Sequence, residues 1–227
     1  FTIDASSGEI TTTGSLDFES GSSHTVRVVA TDDGGLSSEA ELSISVGDVN
    51  DAPDAVMFTG GRVAENAGPG TVVAVASASD SDAGDGIRYS LSDDAGGRFT
   101  IDASSGEITT TGSLDFESGS SHTVRVVATD DGGLSSEAEL SISVGDVNDA
   151  PDAVMFTGGR VAENAGPGTV VAVASASDSD AGDGIRYSLS DDAGGRFTID
   201  ASSGEITTTG SLDFESGSSH TVRVVAT

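Results

Sequence analysis

Residues 121–145 read SHTVRVVATDDGGLSSEAELSISVG, and two runs in this stretch place apolar side chains on every second position. Val124, Val126 and Ala128 alternate with polar residues in the first run; Leu140, Ile142 and Val144 do so in the second, after the break at Asp131-Gly132-Gly133. Period-two alternation is the mark of a strand with one face buried, and a helix would need a spacing near 3.6. Working outward, similar runs occur at Val72 to Ala76, Ile87 to Leu91, Phe99 to Ile101 and Glu107 to Thr109, with a more irregular stretch from Val56 to Val63 in front. About seven strands result. The intervening clusters, Ser104-Ser105-Gly106 and Gly84-Asp85-Gly86 among them, suit tight turns. No window has a helical period with caps, so an all-β Greek-key, immunoglobulin-like sandwich is expected.

The sequence beginning at Phe1 restarts unchanged at Phe99 and again at Phe197, giving a period of 98 residues. That length is about two to five times a usual solenoid repeat, so each period is expected to fold around its own core. The expected division is a partial repeat over 1–48 (the C-terminal part), a complete repeat with its leading linker over 49–146, and a partial repeat lacking its last strand over 147–227. Pro151, following Asp146-Val147-Asn148-Asp149-Ala150, pushes Ala150 toward an extended backbone and predicts a short, stretched linker.

The chain of 227 residues has no Cys, Trp or Lys, and its nine cationic residues face 38 carboxylates for a formal charge of −29. Each period carries 12 Asp and 5 Glu against 4 Arg, a net −13. Without a basic face, nucleic acid is excluded as a partner. Catalysis has no foothold either, since a thiol, a nucleophile elbow, a phosphate loop and a His-rich metal centre are all missing. No apolar run approaches the length of a membrane span, so no membrane segment is expected within this stretch. His24, His122 and His220 are one position repeated, expected as exposed turn or edge residues. Phe1, Tyr89, Phe99 and Ile101 are expected in the core, and Phe58 and Phe116 as the aromatics to watch at the surface.

Every copy carries the same acidic signals in order: Ala64-Glu65-Asn66, Asp80-Ser81-Asp82, Leu114-Asp115-Phe116-Glu117, Asp130-Asp131-Gly132 and the Asp146 to Ala150 linker. Their carboxylate and amide oxygens suit calcium, which takes 6–8 oxygen ligands. Five such motifs in register resemble the cadherin repeat, and bacterial-type tandem arrays of large surface adhesins or filaments in particular. Phe116 stands where the family has an Arg and Ala64 where a Pro is common, but neither side chain is a ligand in that family.

The resemblance implies as many as three calcium ions at each junction, with ligands from both neighbouring repeats and the linker. At the first junction these would be Asp17, Glu19, Asp48, Asn50, Asp51, Asp80, Asp82 and Asp130, with backbone carbonyls of Val49 and Ala52. At the second they would be Glu65, Asp115, Glu117, Asp146, Asn148, Asp149, Asp178 and Asp180, with carbonyls of Val147 and Ala150. Asp32, Glu163, Asp213 and Glu215 are the corresponding ligands at the remaining ends. The implied function is a calcium-dependent, rod-forming segment of an extracellular adhesin or surface filament, mediating adhesion or acting as a spacer. Its partners would be calcium and the neighbouring repeats. The alternatives are repeats that bind cell-surface glycans, or that join identical chains side by side in a fibre or sheath.

Overall fold

The computed structural model describes residues 1–227, as strands, turns and extended connections without a helix. It divides into two compact units, Phe1–Gly145 and Asp146–Thr227. The first begins with the strands β1 (Thr2–Ile3), β2 (Ile10–Thr11), β3 (Ser23–Thr31) and β4 (Ser37–Ser45), paired as β1–β2 and β3–β4.

A whole repeat follows: β5 (Met57–Gly60), β6 (Arg62–Ala64), β7 (Val72–Ser77), β8 (Arg88–Asp93), β9 (Phe99–Ile101), β10 (Glu107–Thr110), β11 (Ser121–Thr129) and β12 (Ser135–Gly145). Two four-stranded sheets result, ordered β5-β7-β10-β9 and β6-β12-β11-β8. The alternating stretch read first forms the hairpin β11–β12, in register from Ser121 opposite Ser143 to Thr129 opposite Ser135. Its turn is closed by Leu134, whose amide donates to Asp130 Oδ1 at 2.9 Å.

The inward side chains are those the alternation selects. Val124, Val126, Ala128, Ile142 and Ile108 are fully buried, and Val56, Val63, Val73, Ala74, Ala76, Tyr89, Phe99, Leu114 and Val144 complete the core. Fully burying a Val, Leu, Ile or Phe side chain contributes about 1.5–3 kcal/mol.

Eight strands stand where about seven were expected, and the difference lies in the irregular stretch Val56 to Val63. Gly60 and Gly61 both have positive φ, 102° and 106°, a conformation that residues with a Cβ resist. The kink splits one strand into two that join different sheets: β5 runs antiparallel to β7, while β6 pairs in parallel with β12 through Arg62, Val63 and Ala64. The space is as tight as the dihedral, because a Cβ on Gly60 would lie 2.6 Å from the Val73 carbonyl oxygen.

Three other expectations are corrected. His122 is half-buried and lies against Phe99 with ring centroids 6.1 Å apart. Phe58 and Phe116 are half-buried against the core rather than displayed. Phe1 is 38% exposed. The second unit repeats the pattern in β13 (Met155–Gly158), β14 (Val170–Ser175), β15 (Tyr187–Asp191), β16 (Phe197–Ile199), β17 (Glu205–Thr208) and β18 (Arg223–Ala226), with sheets β13-β14-β17-β16 and β15-β18.

Candidate metal centre

At the front of the whole repeat, the segment Asp48 to Ala52 is free of strand pairing, so its polar groups are open to side chains from elsewhere. Asp80 and Asp82 follow directly from the end of β7, where the Asp82 amide donates to Asp80 Oδ1 at 3.0 Å. Asp82 Oδ2 in turn accepts the Asp51 amide at 2.7 Å. Asn50 Nδ2 donates to Asp130 Oδ2 at 2.9 Å and to the Asp51 carbonyl at 2.8 Å. One linker is thereby tied to two acidic motifs of the repeat behind it.

Carboxylate oxygens of Glu19, Asp48 and Asp82 approach within 4.8 Å of one another. Like charges about 4 Å apart repel by about 4 kcal/mol at an effective dielectric of 20. Beside them, Asp80 Oδ2 and Asp82 Oδ1 are buried and accept no hydrogen bond, an arrangement that costs about 1–3 kcal/mol per group when nothing fills it. Buried, unmet carboxylate oxygens next to further carboxylates and an amide oxygen fit a hard divalent cation; the donor set has no soft ligand.

The back of the same repeat gathers a second group. Glu65, 4% exposed, lies with Asp115 and Glu117 within 4.8 Å. Its Oε2 accepts the Phe116 amide at 2.7 Å and its carbonyl accepts the Leu114 amide at 2.7 Å, so the Leu114 to Glu117 turn is folded around it. Asp115 accepts the Ser118 hydroxyl at 2.5 Å and the Ser118 amide at 3.0 Å; the hydroxyl chiefly holds its carboxyl below the ordinary value. Asp17 makes the same turn with Ser20 and is lowered for the same reason.

In the second unit, Glu163, Asp213 and Glu215 again come within 4.8 Å. Asp149 donates its amide to Asp180 Oδ2 at 2.7 Å, Asp180 donates its own to Asp178 Oδ1 at 3.0 Å, and Asp180 Oδ1 is buried without a hydrogen bond. Asn148 Nδ2 donates to the Asp149 carbonyl at 2.7 Å. Asp146, Asn148, Asp149 and Ala150 are exposed at the start of this unit, with Val147 half-buried.

Among the other predicted residues, Val49 and Ala52 are exposed in the first linker. Asp32 closes the β3–β4 turn, accepting the Leu36 amide at 2.9 Å, and no other predicted ligand joins it. Asp85 escaped the sequence reading as a side chain. Burial and then the charges of Asp82, Asp131, Asp80 and Asp130 push its carboxyl up, and the neighbouring Gly86 amide donates to Asp131 Oδ2 at 3.1 Å. Its place three residues after Asp82 was the available signal.

Sandwiches with acidic groups at their ends, connected by a Pro-terminated acidic linker, define a class of tandem β-sandwich repeat. The chain belongs to the cadherin family: the profile described as "Cadherin domain" matches residues 1–47, 60–145 and 158–227. Protocadherin-23 of Homo sapiens is 38% identical over 239 aligned residues, covering 100% of this chain and 7% of that protein. Cadherin-23 of Mus musculus is 36% identical over 228 residues, covering 93% of this chain and 7% of that protein. The chain therefore spans a small part of the length of either relative. Among solved structures, the extracellular cadherin domains 3–6 of Protocadherin Gamma B2 superpose with a TM-score of 0.72 at 31% identity, covering 100% of this chain and 58% of that one. The chain is thus an extracellular, non-enzymatic segment of cadherin repeats of the kind found in cell-adhesion proteins.

Proposed function

We propose that this segment is a calcium-dependent, rod-forming stretch of a larger adhesion protein, in which the repeats 1–48, 49–146 and 147–227 are locked end to end at Asp48 and Asp146. Calcium, when bound, supplies the positive charge that lets these carboxylates share a small volume. The chain's own residues do the rest. Glu19 reaches from the back of one repeat, Asp48, Asn50 and Asp51 hold the linker, and Asp80, Asp82 and Asp130 offer oxygens from the front of the next.

One observation carries the reading: buried oxygens of Asp80 and Asp82 accept no hydrogen bond while Glu19, Asp48 and Asp82 crowd within 4.8 Å. Carboxylates placed this way favour separation when bare and closure when neutralised. As many as three ions per junction are proposed, following the family.

Small-angle scattering of the chain in calcium, and then in chelator at matched ionic strength, tests this. A profile that becomes more compact and flexible on chelation is expected. An unchanged profile would make the acidic motifs solvated turns.

A further inference from the structure

The polar ties just behind the linker are absorbed neither by the metal reading nor by the core. Pro53 is buried and has no amide to donate, so the first amide beyond the linker that can anchor it is that of Asp54. It donates to the Ser79 carbonyl at 2.8 Å, and Asp54 Oδ2 accepts the Ser79 hydroxyl at 2.7 Å. From the opposite sheet, the Ser136 hydroxyl donates to the Asp54 carbonyl at 2.8 Å. Every polar backbone group of Asp54, and its side chain, is thus used on two neighbours, one just beyond the end of β7 and one on β12.

The spacing gives these bonds their consequence. Asp51 faces Asp82 and Asp54 faces Ser79, three residues apart on each of two antiparallel segments. A slip of one residue would break both ties at once, parting the Asp51 amide from Asp82 Oδ2 and the Asp54 amide from the Ser79 carbonyl. The second unit has the same bonds apart from the one Ser136 makes: the Asp152 amide to the Ser177 carbonyl at 2.8 Å, the Ser177 hydroxyl to Asp152 Oδ2 at 2.7 Å, and the Asp149 amide to Asp180 Oδ2 at 2.7 Å.

We propose that Asp54, gripped by Ser79 and Ser136, is a register clamp that sets the linker's oxygen ligands before any cation arrives, and that Asp152 does the same in the next repeat. Neither residue is a ligand itself; each is a positioning residue. The proposal rests on the calcium reading above only for its effect on affinity.

The test uses the full chain carrying Asp54→Ala with Asp152→Ala, the same pair as Asn, and Ser136→Ala, each followed by calorimetric calcium titration. Amide exchange at Asp51 is measured in chelator. The Ala pair is expected to weaken calcium binding about three- to tenfold, the loss of one side-chain hydrogen bond in each repeat, and to speed exchange at Asp51 without calcium. The Asn pair keeps an acceptor for the Ser79 hydroxyl and is expected to stay within about twofold of the parent. Ser136→Ala, which removes a single hydroxyl, gives the answer should the Ala pair fail to fold.

Parent-like affinity in the Ala pair, with the parent binding calcium, would overturn the clamp and leave the calcium reading intact. Asn behaving as Ala would overturn it too, in favour of a plain charge effect. A parent that binds no calcium would remove the calcium reading, and Asp51 exchange alone would then decide: unchanged protection in the Ala pair overturns the clamp.

Discussion

A single carbon atom separates Gly132 from a displaced linker. A Cβ built on Gly132 would lie 1.9 Å from Asn50 Oδ1, inside any contact distance, and the side chain free to move is that of Asn50. Gly132→Ala is therefore expected to leave the sandwich within about 1 kcal/mol of its stability while expelling the Asn50 amide from Asp130, weakening calcium binding about three- to tenfold. Calorimetry beside a denaturant titration checks both halves. Gly34, the same position one repeat earlier, meets nothing nearer than Asp32 Oδ1 at 3.2 Å, and Gly34→Ala serves as the control. His122 provides a second residue-scale prediction. Its burial, aided by the Arg98 guanidinium, holds the imidazole below its ordinary 6.5, so the folded repeat prefers the neutral ring. Since the unfolded ring protonates first, stability is unaffected well above pH 6.5 and declines as pH falls through 6.5 toward the folded value. The comparison is with His122→Gln, which removes pH effects that do not come from this ring. Urea midpoints at about pH 8 and pH 5.5 should shift downward for the parent relative to the variant. Parallel shifts in the two proteins would sink the assignment.

Among the elements, the β9–β10 hairpin is held by its turn as much as by its core side chain. Asp102 Oδ1 accepts the amides of Ser104 and Ser105 at 2.9 and 2.8 Å, and these bonds hold its carboxyl well below the usual range, the Ser105 amide foremost. Gly106 then turns with φ of 71°, where a Cβ would stand 2.3 Å from the Ala76 carbonyl oxygen on β7. Gly106→Ala is expected to cost about 1–3 kcal/mol through overpacking and strain, and Ile108→Ala, two residues on in β10, about 2–5 kcal/mol through its cavity. Equilibrium urea unfolding reads both; equal, negligible losses would contradict the packing described. The β11–β12 hairpin was legible in sequence because alternation reports which face is buried. The division at Gly60-Gly61 was not, since a strand that changes sheets keeps an apolar composition while losing its period. Nor were the half-buried His122 and Phe116, whose burial is set by what crosses them rather than by their neighbours in sequence. The gathering of Glu19, Asp48 and Asp82 was legible as motifs in family order. The clamp at Asp54 was hidden, because Ser79 and Ser136 are two serines among many.

Over the whole chain, −29 charges leave stability hostage to the surrounding ions. A cation that binds only the folded junction stabilises it by about 2.7 kcal/mol per site at a hundredfold excess over its dissociation constant. Diffuse screening saturates sooner and does not distinguish cation chemistry. Melting temperature is therefore expected to climb with the logarithm of calcium concentration, and to respond far less to sodium at equal ionic strength. Sodium matching calcium would count against specific sites. A separate consequence comes from the parallel pairing of β6 with β12 through Arg62, Val63 and Ala64. Tension along the chain enters the whole repeat ahead of β5 and leaves beyond β12, so once β5 parts from β7 it drags β6 past β12 along the strand axes. Their bridges then share the load and must fail together instead of unzipping one by one. The kink that glycine introduces at residues 60 and 61 thus makes the whole repeat a link expected to resist being pulled.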